Sequence, residues 1–354
     1  MALTRRFSVA LLAAAFLGIA LPAQAAPAPA DEQPKVHKFL PDDSGGVFVF
    51  NIKQIVASPL YTKNFQKQVD ELLKKDEVQT ILKDAGLDPH KDIDRIILTI
   101  VPSTGNGLSG PFVVCEGRFD LTKLQAATEA AGKKYGGVKP VEMGKTKVYE
   151  LAIPGSASFL ALVDKNTVIF AESKDYIAEA LEKAGGKRKT EFKSKGLADL
   201  VEKMDPKQIF SIAATGDMIM GGGVSTNAMG VVTRHVMTLG QQGIDALTGG
   251  LTIEDTVIKG KGTLTTPNAE TAKKVSAEFE AGLARAIDEV TKMATVQKEL
   301  APLVDVLKSV KVSAKDEKFT VEGQGGAEAI EALIKSFFFA RASAPVPAAP
   351  APGK

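Results

Sequence analysis

The order of strand-like and helix-like segments constrains this chain more than any motif in it, because much the same order is read twice. The first pass opens on the β-rich run Val47 to Ile52 (VFVFNI), followed by Ser58-Pro59, an N-cap with proline at the first helical position. Phe65, Val69, Leu72, Leu73, Ile81 and Leu82 then fall near helical spacing, and Gly86 is placed to end a helix broken once at most. Strands are expected over Arg95 to Val101 and Pro111 to Phe119, then a helix capped by Asp120 through Ala131 and a strand-turn-strand over Val138 to Leu151. A hairpin follows, Ser158 to Val163 turning through Asp164-Lys165-Asn166 into Thr167 to Phe170, and Ser173 caps a helix that stops at Gly185-Gly186.

The second pass begins with Gln208 to Ala214 (QIFSIAA) in the place of VFVFNI, and a Gly- and Met-rich segment with a helix runs to about Gln242. Ile244 to Glu254 and Thr256 to Thr265 parallel the two strands of the first half. Asn268 caps a long helix with Ala272, Val275, Phe279, Leu283, Ile287 and Val290 on one face. A second helix carries Leu300, Leu303, Val304 and Leu307; a hairpin follows, Val310 to Ser313 and Phe319 to Gly323, and a last helix covers Ala327 to Phe339. The expected fold is α+β: two similar repeats, 39–190 and 191–341, each a largely antiparallel sheet with helices packed on one face.

The first residues lead one to expect export. Arg5 and Arg6 precede an uncharged apolar run, Val9 to Leu21, and the small-residue site Ala23-Gln24-Ala25 follows, so residues 1–25 read as a signal peptide cleaved after Ala25. The run is shorter than the roughly 20 residues of a membrane-spanning helix, and Pro22 closes it. No other stretch is long enough to span, so the mature chain is expected to have no transmembrane segment. With Phe7 directly after the arginine pair, the general secretory route fits better than the twin-arginine one. The chain is therefore expected in the periplasm, the cell envelope or outside the cell. Residues 26–38 form a Pro/Ala-rich linker and 342–354 a disordered Ala/Pro-rich tail.

Composition then excludes whole classes of function. Removing 25 of the 354 residues leaves 329, enough for two ordinary cores. Losing Arg5 and Arg6 takes the basic count from 44 to 42, which equals the 42 acidic residues, so the mature protein is formally neutral. With no Trp and four Tyr there is little to stack on bases, and no nucleic-acid partner is expected. The basic run Lys187-Arg188-Lys189 reads as a solvated linker. Cys115 is the single cysteine, which precludes an internal disulfide, and its apolar neighbours mark a buried, unreactive thiol.

Catalytic and metal motifs fail on inspection. His37, His90 and His235 are scattered, and no zinc spacing exists. Asp88, Asp92 and Asp94 resemble a calcium loop, but Ile93 stands where the turn glycine belongs and Thr99 where the bidentate glutamate belongs; a solvated connector capped by Asp88 fits better. There is no Gly-x-Ser-x-Gly elbow, and Gly221-Gly222-Gly223 lacks the Lys-Ser/Thr of a phosphate loop. No catalytic residue, metal or cofactor is expected. The one less ordinary feature is Met218, Met220, Met229 and Met237, half of the eight methionines within a Gly-rich stretch. Soft thioethers suit an apolar ligand, a protein partner or cuprous copper, although packing against a sheet is the favoured reading.

Leu40-Pro41-Asp42-Asp43, then Val47 to Ile52 and Ser58-Pro59-Leu60, resembles the opening of a group of uncharacterised secreted proteins common in planctomycete-type bacteria. The hairpin of Val310-Lys311-Val312 and Phe319 to Gly323 is similar to theirs. The resemblance spans most of the mature chain and implies a signal peptide and a duplicated α+β body, without an established activity. Together these readings favour an exported, non-catalytic protein of the envelope or periplasm that binds a protein partner or an apolar ligand. The alternatives are a hydrolase with a carboxylate-based site in the inter-repeat cleft, and a carrier of lipid or other apolar cargo with a cavity near Met218 to Met237.

Overall fold

The computed structural model describes residues 38–102, 108–153, 156–220 and 243–329. Its strands are the segments rich in β-branched and aromatic residues: β1 (Gly46–Phe50), β2 (Ile93–Pro102), β3 (Leu108–Gly117), β4 (Val138–Met143), β5 (Thr146–Ile153), β6 (Ser156–Asp164) and β7 (Thr167–Ala171). The second half supplies β8 (Phe210–Thr215), β9 (Ala246–Glu254), β10 (Val257–Thr265), β11 (Lys311–Lys315) and β12 (Lys318–Gly326). All twelve join one sheet, in the order β11-β12-β10-β9-β8-β1-β2-β3-β7-β6-β5-β4.

The α+β class and the antiparallel pairing are as the sequence leads one to expect, but the halves do not form separate sheets. β1 and β8 pair antiparallel from Gly46↔Ala214 to Phe50↔Phe210 and make the sheet continuous. The reason is local. β1 is apolar on both faces and β8 buries Ala213 on one face and Ala214 on the other, so neither can serve as an edge without burying unpaired backbone N–H and C=O groups. Reading outward from that pair, each side runs through its first, second and third strand and then a hairpin entered from its later strand; β5 and β4 extend the first side further.

Side-chain caps at Ser58, Asp120, Ser173 and Asn268 start helices where the sequence places them. α1 (Ile52–Ala57) is followed by α2 (Pro59–Asn64), where Ser58 Oγ accepts from the Tyr61 amide. α3 (Gln66–Leu73) and α4 (Asp76–Ala85) come next, and α4 ends at Gly86 with φ of 61°, the left-handed region glycine tolerates. The helix expected to break once is thus in three pieces. A straight helix over the same residues would run about 40 Å; the turns at Phe65 and Lys74–Lys75 fold the segment back, so Tyr61, Val69 and Leu82 all reach one core. After α5 (Pro89–Asp92), Asp120 caps α6 (Leu121–Tyr135), Ser173 caps α7 (Lys174–Ala184) and Ser194 caps α8 (Lys195–Glu202). α9 (Gly216–Met220) follows β8, Asn268 caps α10 (Ala269–Val296), and α11 (Ala301–Ser309) leads into β11.

Helices lie on both faces of the first half rather than on one. Along β1, Phe50 turns to a core beneath α1 to α4 and α6, shared with Ile96, Val113, Cys115, Tyr149 and Leu160. Val47 and Val49 turn the other way, to a core of Ile97, Phe112, Val114, Ala161 and Ile169 beneath α7 and α8. The sequence of these strands is the cause: PFVVC and TVIFA are apolar at consecutive positions, so each face needs a cover. α8 lies beyond the expected boundary at residue 190, yet it buries Leu197 and Val201 in the core that holds Val47 and Val49.

The second half has one apolar face. Ala214, Met218, Leu264, Val275 and Phe319 form its core, with Phe279, Val312 and Val321 packed against it. The opposite face presents exposed Lys259, Lys261, Lys311, Glu322 and Gln324. Among the described residues, α10 and α11 are the helices that pack on β11 and β12, and they do so on the Phe319 and Val321 side. The helix expected over 327–339 lies outside the described residues beyond Ala329.

Candidate functional site

Of the four clustered methionines, Met218 is the one whose surroundings are described. Met218 is buried, and its sulfur occupies the space that a Cβ on Gly46 would need, so it works as core packing between α9 and β1. Met220 ends α9, while Met229 and Met237, like Gly221 to Gly223, lie outside the described residues. The thiol of Cys115 is buried in β3, and burial, with a smaller contribution from Glu116, pushes it up to about 12. A thiol so held has almost no thiolate near neutral pH.

Among the described residues, no group of three or more His, Cys, Asp or Glu is placed to hold a metal. The Asp88 segment is a capped connector: Asp88 accepts from the His90 amide at 3.0 Å and pairs with Lys91 at 2.7 Å, while Asp92 accepts from the Asp88 amide. A carboxylate site between the halves has no cleft to occupy along β1 and β8, because the backbone ladder runs through that line.

The densest charged cluster was not legible as such. Lys183 is buried to its tip and contacts Asp42 Oδ1 at 2.6 Å and Glu179 Oε1 at 2.7 Å, and it donates to the Leu40 carbonyl. Arg188 donates to Asp42 Oδ2 through Nη2 at 2.6 Å and Nε at 3.1 Å. The Asp42 amide donates to Glu179 at 2.8 Å, closing the network. Burial raises the Asp42 pKa, but the hydrogen bonds and charges of Lys183 and Arg188 outweigh it and hold the carboxyl below its ordinary value. Such a carboxylate is a poor general acid. The cluster instead fastens the Leu40-Pro41-Asp42-Asp43 segment onto α7, and Arg188, expected in a solvated linker, is part of the fastening. The readable signals were the Glu179 to Lys183 spacing of one helical turn and the paired acids of the opening segment; their meeting across 137 residues was not.

A cavity of about 80 Å3 lies between α4 and α6. Leu82, Ala85, Leu87, Leu124, Ala127 and Leu160 are among its walls, and Thr80, Asp84 and Lys134 stand at exposed positions around it. The hydroxyls along it are already satisfied within their helices: Thr80 donates to the Asp76 carbonyl and Thr128 to that of Leu124, each at 2.7 Å. What remains inside is apolar surface. By volume it has room for a few methylenes or several waters, and apolar walls favour the former.

No protein-family model matches the sequence, and no curated protein matches it. The fold is similar to solved structures of TP0453. Crystal form III superposes with a TM-score of 0.48 at 9% identity, covering 87% of this chain and 100% of that one. Crystal form I gives 0.47 at 8% identity, covering 87% and 98%.

Proposed function

We propose that this is an exported, non-catalytic binding protein of the envelope or periplasm that takes the alkyl part of an amphipathic ligand between α4 and α6. The cavity carries the reading: it opens beside Thr80, Asp84 and Lys134, and its walls offer contact to hydrocarbon and no unsatisfied hydroxyl of Thr80 or Thr128 to a polar group. An amphiphile seated there keeps its head at the polar mouth. The remaining chemistry supports binding over turnover, since Cys115 is inert and Asp42 is committed to cations. Among the described residues, no helix is long and apolar enough to cross a membrane.

Export rests on residues 1–25, and N-terminal sequencing of the protein recovered outside the cytoplasm is expected to begin at Ala26. Duplication of an ancestral α+β unit accounts for the matching outward strand order on the two sides of β1 and β8. The family resemblance of the Leu40-Pro41-Asp42-Asp43 opening fits the same picture.

The binding reading is tested with Ala127→Leu and Ala131→Phe, which fill the cavity from α6. A medium-chain fatty acid and the corresponding alcohol serve as probes, followed by calorimetry and native mass spectrometry. Each substitution is expected to weaken binding by about tenfold or more while thermal unfolding shows a folded chain. Undiminished binding in both variants, or no uptake by the parent protein, overturns the assignment.

A further inference from the structure

The polar face of the second half carries a groove of about 510 Å3, bounded in part by Lys259, Lys261, Lys308, Lys311, Glu322 and Gln324. Its floor is a cross-strand array. Gly250 faces Lys261, Lys261 faces Glu322, and Glu322 faces Lys311; in the next row Thr252 faces Lys259, which faces Gln324. With strands about 4.8 Å apart and two residues spanning about 7 Å, the lysines lie on a grid roughly 7 to 10 Å on a side.

Charge on this grid is unbalanced. Lys261 pairs with Glu322 at 2.6 Å and Lys259 with Glu254, whereas Lys308 and Lys311 have no ion-pair partner among the described residues. The Glu322 carboxyl is held below its ordinary value by the hydrogen bond from Lys261, by that cation's charge and also by Lys311. In a formally neutral mature chain, this is a local excess of positive charge.

The groove also ends at a free backbone edge. β11 is the last strand of the sheet among the described residues, paired with β12 alone, and Lys311, Ser313 and Lys315 are exposed along it at alternate positions. We propose that this edge and groove bind an extended acidic peptide segment of a partner protein, which adds as a strand beside β11 with carboxylates at alternate positions against Lys308, Lys311 and Lys315. A peptide is favoured over other anions on three grounds. Only a peptide can satisfy the N–H and C=O groups of the β11 edge. Among the described residues, the groove lining has no aromatic ring on which a sugar or base could stack. Glu322, in the middle of the grid, repels a uniformly charged polymer but tolerates a strand whose acids alternate with neutral residues.

The experiment is fluorescence anisotropy of the full mature chain with a labelled peptide of about twelve residues alternating Glu and Thr. A Lys-Thr peptide, an N-methylated Glu-Thr peptide and inorganic polyphosphate serve as comparisons. The Glu-Thr peptide is expected to bind and to weaken with added salt, and the two control peptides to bind at least about tenfold more weakly. The double variant Lys308→Glu with Lys311→Glu is expected to lose about tenfold or more while circular dichroism and thermal midpoint stay unchanged, and Lys83→Glu on the exposed side of α4 to lose nothing. Failure of the Glu-Thr peptide to bind, equal binding of the N-methylated form, indifference to the double variant, or tighter binding of polyphosphate each overturns the proposal.

Discussion

The two halves of the sheet use the same antiparallel pairing but meet water differently. In the first half, β1, β3 and β7 are covered above and below, and Val47, Phe112, Ile169 and Ala171 are wholly buried. In the second, β10 and β12 alternate a residue packed toward α10 and α11 with a lysine, threonine or glutamate on the open side. The difference teaches where each half can carry a ligand. A sheet covered on both faces leaves space for a ligand only beneath its helices, as in the cavity between α4 and α6, whereas a sheet with an open face offers that face and its edge.

If this contrast holds, the largest effect comes from the charge buried in the first half. Lys183→Met leaves Asp42 and Glu179 without their shared cation and is expected to cost about 3–5 kcal/mol. Lys261→Met, on the open face, is expected to change nothing measurable, because exposed ion pairs contribute little. Urea titration of both variants checks the pair, and equal effects break the comparison. Next comes packing: Ile169→Ala in β7 is expected to cost about 2–5 kcal/mol, and Val321→Ala, half-buried in β12, about 1–2 kcal/mol.

Acid should act on the first half with two opposing signs. The lowered pKa of Asp42 means that its ion pairs contribute stability that is complete above the ordinary carboxylate range and is lost as pH falls through the lowered value. Glu116 runs the other way. Burial raises its pKa more than the Arg95 charge and hydrogen bond lower it, so the ionised form costs stability at neutral pH, and that cost relaxes as pH falls through the raised value. Denaturant midpoints followed downward in pH should therefore fall less steeply in a Lys183→Met background, where Arg188 alone remains to hold the Asp42 carboxylate. The smallest measurable losses are the caps: Asp120→Ala and Asn268→Ala are each expected to cost about 1 kcal/mol in thermal unfolding, as helix starts that are equally local in both halves should.

Legibility followed the range of the interaction. Asp120, Ser173 and Asn268 cap helices in the structure because a side chain and an amide two or three residues away settle the matter. The alternation in Val257 to Thr265 likewise marks a half-exposed strand, and the unbroken apolar runs of β3 and β7 mark strands covered twice. The cavity was hidden, since Leu82 and Leu124 read only as core positions on separate helices and nothing local says that two such faces will leave a gap. The position of Met218 was hidden for a related reason: its sulfur fills the space above Gly46, a contact between residues far apart in the chain.

By itself, then, the amino-acid order marked most of the strands and the helix starts at Ser58, Asp120, Ser173 and Asn268, because backbone sterics, capping and hydrophobic period act within a few residues. Tertiary structure alone decided that β1 and β8 fuse the halves into one sheet, that Lys183 is buried against Asp42, and that α4 and α6 leave a cavity. Those outcomes depend on which distant surfaces meet, and the free energy that selects them comes from area buried jointly by residues far apart in the chain, from about forty positions for Leu82 and Leu124 to more than a hundred for Asp42 and Lys183.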